Sequence, residues 1–223
     1  MGCAESQAEF FARITASATH EVRNVLAIVK ESAGLVQDLI LLAGPGAEPD
    51  RERVSAAIGR IEAQIRRGAD LMSSLNRVSH GLDRDADRIE LDAALRDVAR
   101  LSERRARERK RGIVVLDPSC VPAVTACPLQ IYMALSRTVD WSLEQVPAGG
   151  VVRMVASGDD RVPAVRVEAD GGAGAFDADE WSRLVDSLDG LPASVEADDA
   201  PAAFSLLFSG ERRPAPVGGD RDE

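Results

Sequence analysis

His20, Glu21 and Asn24 fall within little more than one helical turn, in the stretch SATHEVRNVLAIVKE at residues 17–31. A neutral imidazole is a competent nucleophile near neutral pH and can take a phosphoryl group on a ring nitrogen. The neighbouring carboxylate of Glu21 is a candidate to orient that ring or to take its other proton. Asn24, one turn on, is a candidate to position water or a phosphoryl oxygen. These three are the candidate catalytic residues. A histidine on an exposed helix face is also a common solvated residue, so the surrounding elements must decide between the two readings.

Residues 6–43 read as one long helix. Apolar residues recur three and four apart at Phe11, Ile14, Ala18, Val25, Ile28, Leu35, Leu39 and Leu42, and a second seam runs Val22, Leu26, Val29, Ala33, Val36, Ile40. Two adjoining seams make the broad apolar face of a helix with more than one neighbour. At roughly 100° per residue, Asn24, Glu31 and Asp38 fall near His20, while Val22, Val29, Val36 and Ile40 fall nearly opposite, where the bundle core is expected. The His20 face is polar and wet.

GPGAEP, residues 44–49, supplies a turn, and a second helix is expected over 50–80 with Val54, Ile58, Ile61, Ile65, Met72 and Leu75 in step. Gly68 takes the missing step and suits close helix approach. Two antiparallel helices cannot close a core alone, and dimerisation into a four-helix bundle is the economical remedy. After Gly81 and the charged DRDADR the pattern changes. RIEL and GIVVLD read as strands around a helix over 92–111. A helix over 128–145 follows, then paired strands GGVVRMVAS and PAVRVEAD. A short helix over 179–188 and strands ASVEA and AAFSLLFS complete the second part. The expected organisation is a hairpin over 1–82, an α/β sandwich with one helical layer over 83–210, and a tail over 211–223.

The chain has 223 residues, enough for two modest cores, and its 45% hydrophobic and 29% charged residues mark a globular protein rather than a disordered one. Its net charge of −10 argues against nucleic acid or an anionic membrane as partner. Cys3, Cys120 and Cys127 are odd in number and lack zinc-site spacing, which fits a reducing, cytoplasmic setting and no metal site. No apolar run reaches membrane-spanning length. His80 reads as a helix C-terminal residue that favours the dipole there. Trp141 and Trp181 read as packing residues, and the arginines of 104–111 as a solvated helix face.

HEVRN resembles the phosphoacceptor box of bacterial sensor histidine kinases: His, an acidic residue, two variable residues, then Asn or Thr, near the start of the first of two long helices. The usual proline after the Asn is Val25 here, which reduces the customary kink. RIELDAALRDVARLSERRARERKRGIVVLD and CPLQIYMALSRTVDWSLEQVPAGGVVRM resemble the opening and the asparagine-box helix of the kinase ATPase domain, a Bergerat-type sandwich. The resemblance implies an α+β fold: an N-terminal long helical hairpin forming a dimeric four-helix bundle, then a degenerate Bergerat-type α/β sandwich.

The same resemblance shows what is lost. In active kinases, asparagines on that helix hold magnesium and the nucleotide phosphates; here those places fall at Ala134 and Thr138. VEADGGAG keeps an Asp-x-Gly-x-Gly turn, so Asp170, Gly172 and Gly174 mark a vestigial nucleotide site, or equally an acidic surface turn. Residues 176–191 offer a short helix in place of a mobile lid and a second glycine-rich segment. The resemblance therefore implies a histidine phosphotransferase. His20 passes phosphoryl groups between the aspartates of response-regulator receiver domains, as a homodimer, without ATP, magnesium coming with the receiver. The alternatives are a divergent kinase that still binds ATP, and a non-catalytic regulator that binds a kinase or receiver.

Overall fold

The computed structural model describes residues 6–44, 46, 48–81, 85–170, 176–198, 200 and 202–209. Gly172, Gly174, Cys3 and the tail 211–223 lie outside the described residues.

Helix α1 spans Gln7–Ala43 and α2 spans Arg51–His80. Ser6 starts α1 through a capping box: its hydroxyl accepts from the Glu9 amide at 3.2 Å, and the Glu9 carboxylate accepts from the Ser6 amide at 2.7 Å. Asp50 caps α2 in the same sense, accepting from the Arg53 amide at 3.1 Å. The two helices pack along their length as a hairpin. Gly68 lets them approach: a Cβ there would stand 3.2 Å from Val25 Cγ1.

The second part runs β1 (Asp87–Glu90), α3 (Leu91–Glu108), β2 (Gly112–Val115), β3 (Ala123–Ala126), α4 (Pro128–Gln145), β4 (Val151–Gly158), β5 (Pro163–Asp170), α5 (Ala178–Ser187), β6 (Ala193–Ala197) and β7 (Ala203–Phe208). Five strands form one sheet in the order β2-β4-β5-β7-β6, with only β2 and β4 parallel. Strand alternation decides its buried face: Val152, Met154 and Ala156 of β4 and Val165, Val167 and Ala169 of β5 turn toward the helical layer of α3 and α4. A separate two-stranded sheet pairs β1 with β3.

Strand β3 was not expected from the sequence. Its four residues carry only Val124 and Thr125 as β-branched members, too short a run for alternation to register. Helix α3 ends three residues before the expected 111. Lys110 adopts φ +55°, the Arg111 amide bonds back to the Ala106 carbonyl at 2.8 Å, and the Lys110 amide to Arg107 at 2.9 Å. This is a Schellman stop with lysine where glycine is commoner.

The boundary at 82/83 separates elements but not the hydrophobic core. Phe10, Ile14, Ala18, Leu71 and Val78 of the hairpin join Leu95, Ile131, Leu135, Val152 and Phe204 in one continuous cluster. Below it lies a buried polar knot. Asp97 of α3, 1% exposed, accepts from Ser74 at 2.8 Å, from Arg77 Nε at 2.7 Å and from the Tyr132 hydroxyl at 3.3 Å.

Candidate functional site

His20 stands on the exposed side of α1. The structure brings Asn24 to it, as a four-residue helical step requires: Asn24 Nδ2 lies 3.4 Å from His20 Nδ1. Asparagine serves either tautomer by turning its amide. With the ring proton on Nδ1, the Asn24 amide oxygen accepts it and Nε2 is left bare as nucleophile. His20 also borders a shallow depression of about 500 Å³ along α1, walled by Phe11, Thr15, Thr19 and Arg23.

Glu21 lies elsewhere. One residue turns the helix by about 100°, and Glu21 falls in the buried row with Ile14, Ala18 and Val25, only 6% exposed. Its Oε1 accepts from Arg107 Nη2 at 2.6 Å and pairs with Arg67 Nη2 at 2.8 Å, and Arg67 pairs in turn with Glu103 at 3.0 Å. Burial pulls the Glu21 carboxyl upward, yet Arg107 and Arg67 together hold it below the usual glutamate range. Among the described residues no hydrogen bond joins Glu21 to the imidazole. Its carboxylate serves helix α2 and helix α3, and Asn24 adds to what holds it ionised.

The arginines of 104–111 need a correction, for several are ties rather than a solvated face. Arg105 donates to Asp140 of α4 at 2.6 Å, and Arg13 of α1 pairs with the same oxygen at 3.2 Å. Burial drives the Asp140 carboxyl up against the pull of Arg105, Arg13 and Arg109, and drives Arg105 down. Arg111 donates to the Leu143 carbonyl. Sequence reasoning missed Arg67, Arg107 and Asp140. The Glu21 end was legible from its place in the apolar row, but its Arg107 partner is 86 positions away.

The remaining expected positions sit around α4. Ala134 and Thr138 are both buried, at 0% and 1% exposed. Asp170, at the end of β5, is exposed and accepts from Arg153 Nη1 at 2.6 Å. Helix α5 is pinned across α4: Trp141 Nε1 donates to the Glu180 carbonyl at 2.9 Å, and Arg137 donates to the Ser187 carbonyl. Trp141, Phe176, Trp181 and Phe204 form an aromatic cluster with ring centroids 4.9 to 6.2 Å apart, mostly edge to face. The tryptophans are packing residues, as expected. Among the described residues no group of three or more His, Cys, Asp or Glu is placed to hold a metal ion, and no helix is long and apolar enough to cross a membrane.

The chain is thus an α+β protein: a long helical hairpin carrying His20, followed by a mixed sheet with α4 and β5. No family model matches the chain, and no curated protein matches it. Among solved structures it is similar to the histidine kinase AdeS of Acinetobacter baumannii, at 15% identity over 86% of this chain and 98% of that one, with a TM-score of 0.45. It is also similar to a bacterial phosphotransferase, at 13% identity over 87% and 94% of the two chains, again with a TM-score of 0.45. Full-length ShkA in complex with AMPPNP matches at 18% identity over 83% of this chain and 45% of that one, with a TM-score of 0.44.

Proposed function

We propose that the chain is a histidine phosphotransferase of a two-component phosphorelay, carrying phosphoryl groups between receiver aspartates through His20 and drawing none from ATP. The observation that carries the reading is the exposed imidazole with Asn24 Nδ2 3.4 Å from its Nδ1. Nε2 attacks the phosphorus of a receiver's aspartyl phosphate. The P–N bond forms as the P–O bond to aspartate breaks, and the aspartate leaves as carboxylate. The proton stays on Nδ1, where Asn24 accepts it, and the positive charge of the ring is shared with that amide. Transfer to a second receiver is the same step reversed, with that receiver's magnesium stabilising the charge. The depression beside His20 offers the receiver a place to seat.

The residues present do not fit a nucleotide and its magnesium. Ala134 offers no ligand, Thr138 is enclosed in the core, and Asp170 is engaged by Arg153. The segment that has to swing as a lid is instead helix α5, bonded to α4 at both ends, its Trp181 packed against Trp141, Phe176 and Phe204.

The reading includes a homodimer. Leu26 and Ile40 of α1, 60% and 54% exposed, and Ile58, Ile65 and Met72 of α2, 45 to 56% exposed, form two heptad rows left uncovered by this chain. With Val25 against Gly68, the two rows run side by side and suit the same rows of a second copy. The deciding experiment mixes the protein with a panel of phosphorylated receivers. Wild type gains acid-labile phosphate and His20→Ala gains none. Wild type that stays unlabelled while a control phosphotransferase is labelled refutes the reading, and tight magnesium-dependent ATP binding replaces it with a divergent kinase.

A further inference from the structure

Glu21 follows the phosphoacceptor in sequence, yet its carboxylate is where three helices meet. Arg67 reaches it from α2 and Arg107 from α3, and Glu103 of α3 closes the ring through Arg67. Glu21 and His20 are consecutive, so whatever fixes one fixes the azimuth of the other about the α1 axis. We propose that Glu21 is a positioning residue that clamps α1 to α2 and α3, so that His20 and the surface of the second part present one preset receptor to a receiver domain. The inference rests on the phosphotransfer reading of His20 and assigns Glu21 no proton.

The geometry opposes a proton role. Oε1 is shared by two guanidinium groups within 2.8 Å, and Oε2, which has no hydrogen-bond partner, is shut away from solvent. Uptake of a proton would neutralise the charge those arginines face and loosen three helices at the moment of transfer. A carboxylate held low by two cations is also a weak base. A second tie acts at the other end of the same interface: Arg13 of α1 and Arg105 of α3 converge on Asp140 of α4. Two hydrogen-bonded ties along α1, with apolar packing of Ile14 and Ala18 between them, resist both rotation and sliding of the helix. A receiver then meets a surface already assembled and loses no free energy to ordering it.

The test uses the full chain and separates the clamp from the chemistry. Arg107 sits on another helix and has no means of acting as base for His20. Glu21→Gln and Arg107→Met are each expected to slow transfer from a phosphorylated receiver about tenfold, and the double variant about tenfold in total rather than a hundredfold, the non-additivity of one shared contact. Arg107→Lys restores part of the rate, and the pH profile of transfer keeps its shape in Glu21→Gln. Hydrogen exchange without any receiver supplies the independent readout: amides of α3 lose protection in both single variants. Transfer at the wild-type rate in Arg107→Met with an altered pH profile in Glu21→Gln overturns the clamp in favour of a proton role. Unchanged α3 protection overturns it as well. Wild type that accepts no phosphoryl group refutes the phosphotransfer reading, and the exchange result still decides the clamp.

Discussion

At the scale of the residue, two neighbours in sequence have opposite fates because a helix turns about 100° between them. His20 meets solvent and Glu21 meets two arginines. The difference has a signature in pH. Glu21 is held below its ordinary pKa in the folded protein, so its contribution to stability is complete above the unfolded value and drains away as pH falls through the folded one. Asp140 has the opposite sign. Burial raises it, so what it contributes is present at low pH and lost as pH rises through the folded value. Melting temperature followed between about pH 3 and pH 7 is expected to fall less steeply toward acid in Glu21→Gln than in wild type. Equal acid slopes in the two proteins would remove the ionic role assigned to Glu21. His20 and Asn24 were legible as a pair because their spacing follows the helix period. The burial of Glu21 follows from its place in the apolar row, a signal that its adjacency to His20 obscured. Arg107 was beyond reach, since only the closed tertiary structure brings α3 to α1.

At the scale of the element, most boundaries followed from local chemistry. Ser6 and Asp50 announce the hairpin helices, Pro128 opens α4, and the alternating PAVRVEAD delimits β5 to the residue. Strand β3 escaped because its pairing with β1, not its own composition, makes it a strand. The β4–β5 hairpin depends on Gly158, which adopts φ +81° and whose missing side chain leaves room for the Val162 carbonyl. A Cβ there collides with backbone and also meets the left-handed penalty. Gly158→Ala is expected to cost ~1–3 kcal/mol of stability, read as a lower urea midpoint with unchanged slope. A midpoint equal to wild type would mean that the hairpin turn relaxes freely.

At the scale of the whole molecule, the uncovered rows on α1 and α2 are the feature a single chain leaves unexplained. Ile65→Glu places a charge in the middle of the α2 row, beside Leu26 of α1. Light scattering is expected to give the mass of two chains for wild type and of one chain for the variant. A wild-type mass of one chain at micromolar concentration would leave those rows without the partner proposed for them. The broad apolar face was readable in sequence as two seams too wide for one neighbour, whereas the merger of hairpin and sandwich was not. Phe10, Ile14 and Ala18 look like ordinary bundle residues until α3 and α4 are seen to close over them.

That shared core bears on how such a chain can change over generations. Where two parts of a chain have separate interiors joined by a linker, either can be exchanged as a cassette. Here the hairpin completes the interior of the sandwich and Asp97 binds Ser74 and Arg77 across the seam. Neither half can be borrowed by another protein, or replaced, without rebuilding the other's interior. Change that spares both interiors is therefore confined to the surface, the residues around His20 among them.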